Sequence, residues 1–306
     1  MTRAAINPEN VLRPLLDKVG LKYALHSTAQ GFPYAGFRVE VEPGRVLSLT
    51  AMVRGRALDL RANGVISLPC SEDDLRRIND VNVEWGLGRI YYDEEQSAYH
   101  LATAIYLKDG SAESYEISNT LKNLYSAASH LQRYPDCFTP AASFSALAEE
   151  EQPSFETFFA DQYYSFPQSP DAASLEDVQG ALDKLGYAFT SAQDGRVLVQ
   201  RFFREGTLEF YVELFKLDDR FLFMCARYSH QVVVTNSAQT LRKVQALNAM
   251  LSIGSIALRG EPTRLFYQLC LPLAWTKVNA SLLEWMIDRA AEVMAAVERE
   301  FWPPVC

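Results

Sequence analysis

Hydrophobic and polar positions in this chain follow the same succession of patterns twice. Leu75, Ile78, Val81, Asn82 and Trp85 recur at helical spacing and run into Gly88, Arg89 and Ile90. At an offset of 166, the distance from Leu75 to Leu241, the series Leu241, Val244, Leu247, Asn248 and Leu251 runs into Gly254, Ser255 and Ile256. The agreement returns further on, where Ile117, Leu121, Leu124, Tyr125, Ala128 and Leu131 match Leu283, Ile287, Ala290, Ala291, Met294 and Val297 at the same offset. A face held over that length predicts a duplicated module, each copy a helix followed by two strands and another helix.

The duplication reaches back to the first helix. Val11, Leu12, Leu15, Leu16 and Val19 share one face between Pro8, which suits a first helical turn, and Gly20, which ends the helix. Leu16, Asp17, Lys18 and Gly20 correspond to Leu182, Asp183, Lys184 and Gly186. Between the first two helices the pattern turns to alternation. Phe37, Val39 and Val41 precede Pro43-Gly44, Val46 to Met52 follow, and Asn63-Gly64 predicts a hairpin turn between Ala57–Arg61 and Val65–Leu68. In the second copy Val197–Phe203, Thr207–Leu217, Arg220–Ala226 and Val232–Thr235 play the same part, with turns at Glu205-Gly206 and Asp218-Asp219. Ser71 and Ser237 are placed to cap the middle helices without a convincing capping-box partner, whereas Ser281 and Glu284 predict a capping box at the last helix.

This order of elements, with Asn82 near the end of the middle helix followed by Gly88-Arg89-Ile90-Tyr91-Tyr92-Asp93, resembles the YbjN family, whose fold is similar to that of type III secretion chaperones. The second copy keeps Asn248, Gly254 and Ile256 and loses the acidic turn. The resemblance spans about Pro8–Leu131 and Ser174–Glu300. It implies an α+β fold of two tandem modules, each an antiparallel sheet flanked by helices in the order α-β-β-β-α-β-β-α. Such proteins are usually single modules that act as homodimers, so the second module could replace the dimer partner within one chain, or the whole chain could dimerise again.

The expected division is a first module at 1–131, a linker at 132–173 and a second module at 174–306. The linker is rich in proline and carries Glu149–Glu151, but it also holds Phe138, Phe144, Phe155, Phe158, Phe159, Tyr163, Tyr164 and Phe166. Burying an aromatic side chain removes about 150–250 Å² from water, so much of this segment is expected to pack on a module.

With 306 residues and 48% hydrophobic content the chain is long enough for two cores. Its net charge of −9 disfavours direct binding to nucleic acid or to an anionic membrane and favours encounters with basic proteins. The five cysteines are widely spaced and form no Cys-x-x-Cys pair, which fits free thiols in a reducing compartment. No window approaches the roughly 18 apolar residues of a membrane span, so a cytoplasmic protein is expected.

The search for chemistry is mostly negative. The chain contains no phosphate-binding loop, nucleophile elbow or His-Glu-x-x-His, and His26, His100, His130 and His230 lie out of helical reach of one another and of any cysteine. No catalysis, cofactor or metal is expected. Asp93–Glu95 reads as a solvated turn, and Asn82 and Asn248 as amides serving backbone at a helix end.

The family resemblance implies an adaptor or chaperone-like protein that holds an extended or poorly structured segment of a protein partner, with a basic or nucleic-acid-handling protein fitting the acidic surface. Strand edges and apolar grooves would do this work. The candidate partner-binding residues are Leu12, Leu15, Leu16, Phe37 and Val39, with Leu182, Phe203 and Phe210 opposite; ordinary core is the competing reading of each. The last helix carries an extra apolar face of Leu282, Trp285, Met286 and Val293, for either self-association in a homodimer or cover from the other module or linker. The rival function is a small-molecule sensor with a ligand between the modules.

Overall fold

A computed structural model describes residues 8–42, 45–133, 174–192, 196–202, 208–217, 220–229, 232–273 and 277–302. The turn expectations at Pro43-Gly44, Glu205-Gly206 and Asp218-Asp219, the expected linker apart from Gln132 and Arg133, and Phe203 lie outside these residues.

The first half runs α1 (Pro8–Asp17), β1 (Ala24–Ser27), β2 (Pro33–Glu42), β3 (Arg45–Arg54), β4 (Ala57–Ile66), α2 (Glu72–Glu84), β5 (Gly88–Asp93), β6 (Ala98–Tyr106) and α3 (Ser114–Arg133). The second half repeats the order with α4 (Leu175–Leu185), β7 (Phe189–Ser191), β8 (Val197–Phe202), β9 (Phe210–Leu217), β10 (Phe221–Tyr228), α5 (Ala238–Met250), β11 (Ser255–Arg259), β12 (Arg264–Pro272) and α6 (Ala280–Phe301). Each half forms one antiparallel six-stranded sheet, in the orders β1-β2-β3-β4-β6-β5 and β11-β12-β10-β9-β8-β7. The bounds of α2 and α5, and those of β6 and β12, differ by the same 166 positions as the sequence repeat.

Four strands, not three, precede each middle helix. The extra ones, β1 and β7, are only four and three residues long, too short to show alternation. Asn63-Gly64 makes no hairpin: β4 runs through it, and the pairing with β6 shifts register between Ala62 and Ile66 while Gly64 takes a φ of +57°. The dipeptide supplies a bulge, which needs the same left-handed freedom as a turn. Val232–Thr235 is not a strand. At α6 the cap is Asn279, whose Oδ1 accepts from Leu282 N at 3.0 Å, in place of Ser281. At α2 the capping box is complete, because Asp74 Oδ2 accepts from Ser71 N at 2.8 Å while Ser71 Oγ accepts from Asp74 N at 3.1 Å.

Alternation decides which face each sheet buries. In β3, Leu47, Leu49, Ala51 and Val53 point inward beneath α1 and α3, while Val46 and Ser48 face out. In β10, Leu222, Met224, Ala226 and Tyr228 point toward α4 and α6. Each fully buried Leu contributes about 1.5–3 kcal/mol, so these two layers dominate the stability of their halves. Gly88 and Gly254 are required where the chain enters β5 and β11: a Cβ at Gly88 would lie 2.7 Å from Ala102 O, and one at Gly254, with φ +75°, 2.4 Å from Gln268 O.

Candidate functional site

The sheets meet through an exchange of middle helices: α5 lies along the edge strand β5 of the first sheet, and α2 along the edge strand β11 of the second. Both edges are sealed by amide side chains. Asn82 Oδ1 accepts from Ile90 N at 2.7 Å and its Nδ2 donates to Ile90 O at 2.8 Å. Asn248 makes the same pair with Ile256, at 2.8 and 2.9 Å. A third amide acts across the seam, Asn79 bonding both the N–H and the carbonyl of Leu258. These amides stand in for a neighbouring strand, so the buried backbone groups of Ile90, Ile256 and Leu258 keep their partners.

A row of side chains on the seam face of each sheet then caps the opposing helix. In the first sheet Arg61 and Arg89 flank Ala102, whose small side chain leaves room for two guanidinium groups. Arg89, fully buried, donates from Nε to Asn248 O at 2.8 Å, from Nη1 to Gly254 O at 3.3 Å, and from Nη2 to Leu251 O. Arg61 donates to Ala249 O and Leu251 O, each at 3.0 Å, and holds Asp59 Oδ2 with two hydrogen bonds of 2.9 and 2.8 Å. Guanidinium groups at the C-terminus of α5 meet the negative end of its dipole. Burial lowers the Arg89 pKa to about 10, opposed chiefly by the Asp59 charge. In the second sheet the equivalent row is Cys225, Gln268 and Ser255, and it is neutral: Gln268 Nε2 and Ser255 Oγ both donate to Asn82 O at the end of α2. One side of the seam is therefore charged and the other is not.

The opposite edges are different. β1 covers β2 only from Pro33 to Gly36, although β2 continues to Glu42. Among the described residues no strand pairs with the outer edge of Phe37–Glu42. In the second sheet β7 covers β8 only at Val197–Val199.

Of the expected partner-binding residues, Leu12, Leu15, Leu16 and Phe37 pack between α1 and the first sheet, and Leu182 and Phe210 lie in the second core. Alternation and helical periodicity mark an inward face, and a groove lining gives the same signal. Val39 is half-buried at the open stretch of β2. In α6, Leu282, Met286 and Val293 are inside the second core, and Trp285 rests on Tyr106 of the first half with ring centroids 4.6 Å apart. Three of these side chains are thus packed in the core of their own half, and Trp285 is met by the other half.

Among the described residues no group of His, Cys, Asp and Glu is arranged to hold a metal ion, and no helix is long and apolar enough to cross a membrane. Burial pushes the thiol of Cys70 up to about 11 and that of Cys225 up to about 12, and raises Cys270 as well, which removes thiolate character. The functional features that sequence reading missed are the seam arginines with Asp59, which carry no local motif, and Asn79, whose partner is 179 positions away.

The architecture is an α+β protein of two antiparallel sheets flanked by helices. Residues 174–302 match the model of the YbjN family, described as "Putative bacterial sensory transduction regulator". Two solved structures are similar. For "Crystal structure of YbjN, a putative transcription regulator from E. coli", identity is 17% and TM-score 0.33, over 41% of this chain and 89% of that one. For the crystal structure of the ExsC–ExsE complex the values are 21% and 0.32, over 44% of this chain and 94% of that one. No curated protein matches the chain.

Proposed function

We propose that the protein is a non-catalytic adaptor or chaperone-like protein that holds an extended segment of a partner protein, and that the segment adds to the first sheet along Phe37–Glu42 of β2. The observation that carries this reading is the contrast between the two edges of that sheet. At β5 the backbone groups of Ile90 are met by Asn82 and α5 lies alongside, whereas Phe37–Glu42 of β2, paired with β3 on one side, have no strand on the outer side among the described residues. An edge of that length provides main-chain hydrogen bonds for a strand, and side-chain specificity comes from what flanks it. Val39 lies on the edge itself, and Val11, Val19, Leu21, Tyr23 and Leu25 are half-buried apolar side chains against the same core. Leu12, Leu15, Leu16 and Phe37 contribute by holding α1 against β2 and β3. The net charge of −9 favours a basic partner, including one that itself handles nucleic acid.

The test is capture of the native partner by the full chain and by Val39→Asp, with the fold of the variant checked by its melting temperature. Loss of the partner from a folded variant supports the reading, and full retention contradicts it. The sensor reading draws on a different observation, a cleft of about 580 Å³ formed by both halves, with Asn79 and Glu84 on one wall and Asn236 and Arg259 on the other. A metabolite that raises the melting temperature while no protein is captured would favour it.

A further inference from the structure

A second cleft, independent of both readings above, lies on the seam face of the first sheet. It has a volume of about 500 Å³, and its lining includes Ser27, Tyr34, Thr50, Arg54, Arg61 and Asn63. The register explains why polar side chains collect here: Thr50 is opposite Arg61 and Met52 opposite Asp59, so alternate residues of β3 and β4 present one polar face. That face is over-supplied with positive charge. Arg54, Arg61 and Arg89 surround a single carboxylate, Asp59, at 3.6, 2.8 and 3.7 Å. Arg289 of α6 adds a fourth cation to the field at Arg54, with Glu292 as its own partner at 2.8 Å. The C-terminus of α5 offsets only about half a charge.

The excess is directed outward. Asp59 also lines the cleft, but it is 1% exposed and its Oδ2 is taken by Arg61, so one buried carboxylate is set against three guanidinium groups. Arg54 is the most accessible of these three cations, and its protein contacts are long: Nε lies 3.6 Å from Asp59 Oδ2 and 3.3 Å from Met52 Sδ, and Nη1 donates to Met250 O at 3.3 Å. Its Nη2 has no acceptor among the described residues. Thr50 Oγ1 accepts from Asn63 Nδ2 at 3.1 Å, which leaves the Thr50 O–H free to donate. The Tyr34 hydroxyl likewise has no hydrogen-bond partner among the described residues.

We infer that this cleft binds a small oxyanion-bearing metabolite, a carboxylate or a phosphate ester, with Arg54 as the principal donor and Thr50 and Tyr34 as orienting hydroxyls. The size suits a molecule with further hydroxyl or carbonyl groups, which the amides of Asn63 and Gln96 would meet. Because Arg54 and Arg61 also hold the last carbonyls of α5, such a ligand would act on the seam between the halves.

The test uses the full chain with inorganic phosphate and with acetate as probes, at constant ionic strength balanced by chloride, read by calorimetry and melting temperature. The expected result is saturable one-to-one binding of at least one probe, weakened about tenfold or more in Arg54→Gln and weakened also in Thr50→Val. Phosphate alone would indicate a phosphorylated ligand, acetate alone a carboxylic acid. Thr50→Val decides the matter if Arg54→Gln does not fold. No saturable binding by either probe, or equal binding in a folded variant, overturns the inference.

Discussion

Asn79 and Leu258, 179 positions apart in the chain, exchange two buried hydrogen bonds: Leu258 N donates to Asn79 Oδ1 at 2.7 Å, and Asn79 Nδ2 donates to Leu258 O at 3.0 Å. The amide presents the hydrogen-bonding face of a β-strand to the edge of the opposite sheet. Truncating it would orphan both backbone groups of Leu258 inside the seam. Asn79→Ala should therefore cost about 2–4 kcal/mol in urea unfolding, with Asn79→Asp also destabilising because a carboxylate cannot donate to Leu258 O. A loss below about 0.5 kcal/mol for both would show that the seam does not need this pair.

The repeat makes a complementary prediction. The position 166 residues after Asn79 is Gln245, which is 2% exposed, and neither Oε1 nor Nε2 has a hydrogen-bond partner among the described residues. Its side chain is one methylene longer than asparagine at the matching place. A buried amide without partners is a net cost, so Gln245→Leu should leave stability unchanged or raise it by up to about 2 kcal/mol. Destabilisation by more than about 1 kcal/mol in the same assay would mean that the amide has a partner.

Glu116 supplies a pH dependence. It lies in the first turn of α3, is buried, and has its pKa raised from 4.5 to about 7, first by desolvation. The folded state therefore holds the proton more tightly than the unfolded state. Stability is highest below about pH 4.5, as far as this group is concerned, and falls as pH rises toward 7. Glu116→Gln should flatten that slope and stabilise the protein at pH 8 by an amount of order 3 kcal/mol at most. Parallel stability–pH curves for the two proteins would contradict the assignment.

How much of this was legible in the sequence depends on how local the cause is. The 166-residue repeat is carried by apolar spacing within single helices and strands, and the matched bounds of α2 with α5 and of β6 with β12 reflect it directly. Asn82 and Asn248 were readable as amides serving backbone, although the groups they serve are those of the strand eight residues later rather than those of their own helix end. Asn63-Gly64 was ambiguous because a bulge and a hairpin turn ask for the same backbone freedom. The seam network was not readable: Arg89 joins Asp59 and Arg61 of β4 only when β4, β6 and β5 align, and the carbonyls that accept from the two arginines lie at the end of α5 in the other half. Leu12, Leu15 and Leu16 show the converse limit, since a strong apolar face says that something covers it without saying what.

In the proposed reading the first sheet has one edge closed by the seam and the other open to a partner. Hydrogen exchange resolved to single residues, on the full chain alone and with its captured partner, tests it directly. Slow exchange is expected at Ile90, Ile256 and Leu258 in both states, with new protection on partner binding confined to amides within Phe37–Glu42 and the adjoining β1. Unchanged exchange along β2 in the bound state, with protection appearing elsewhere, would contradict it.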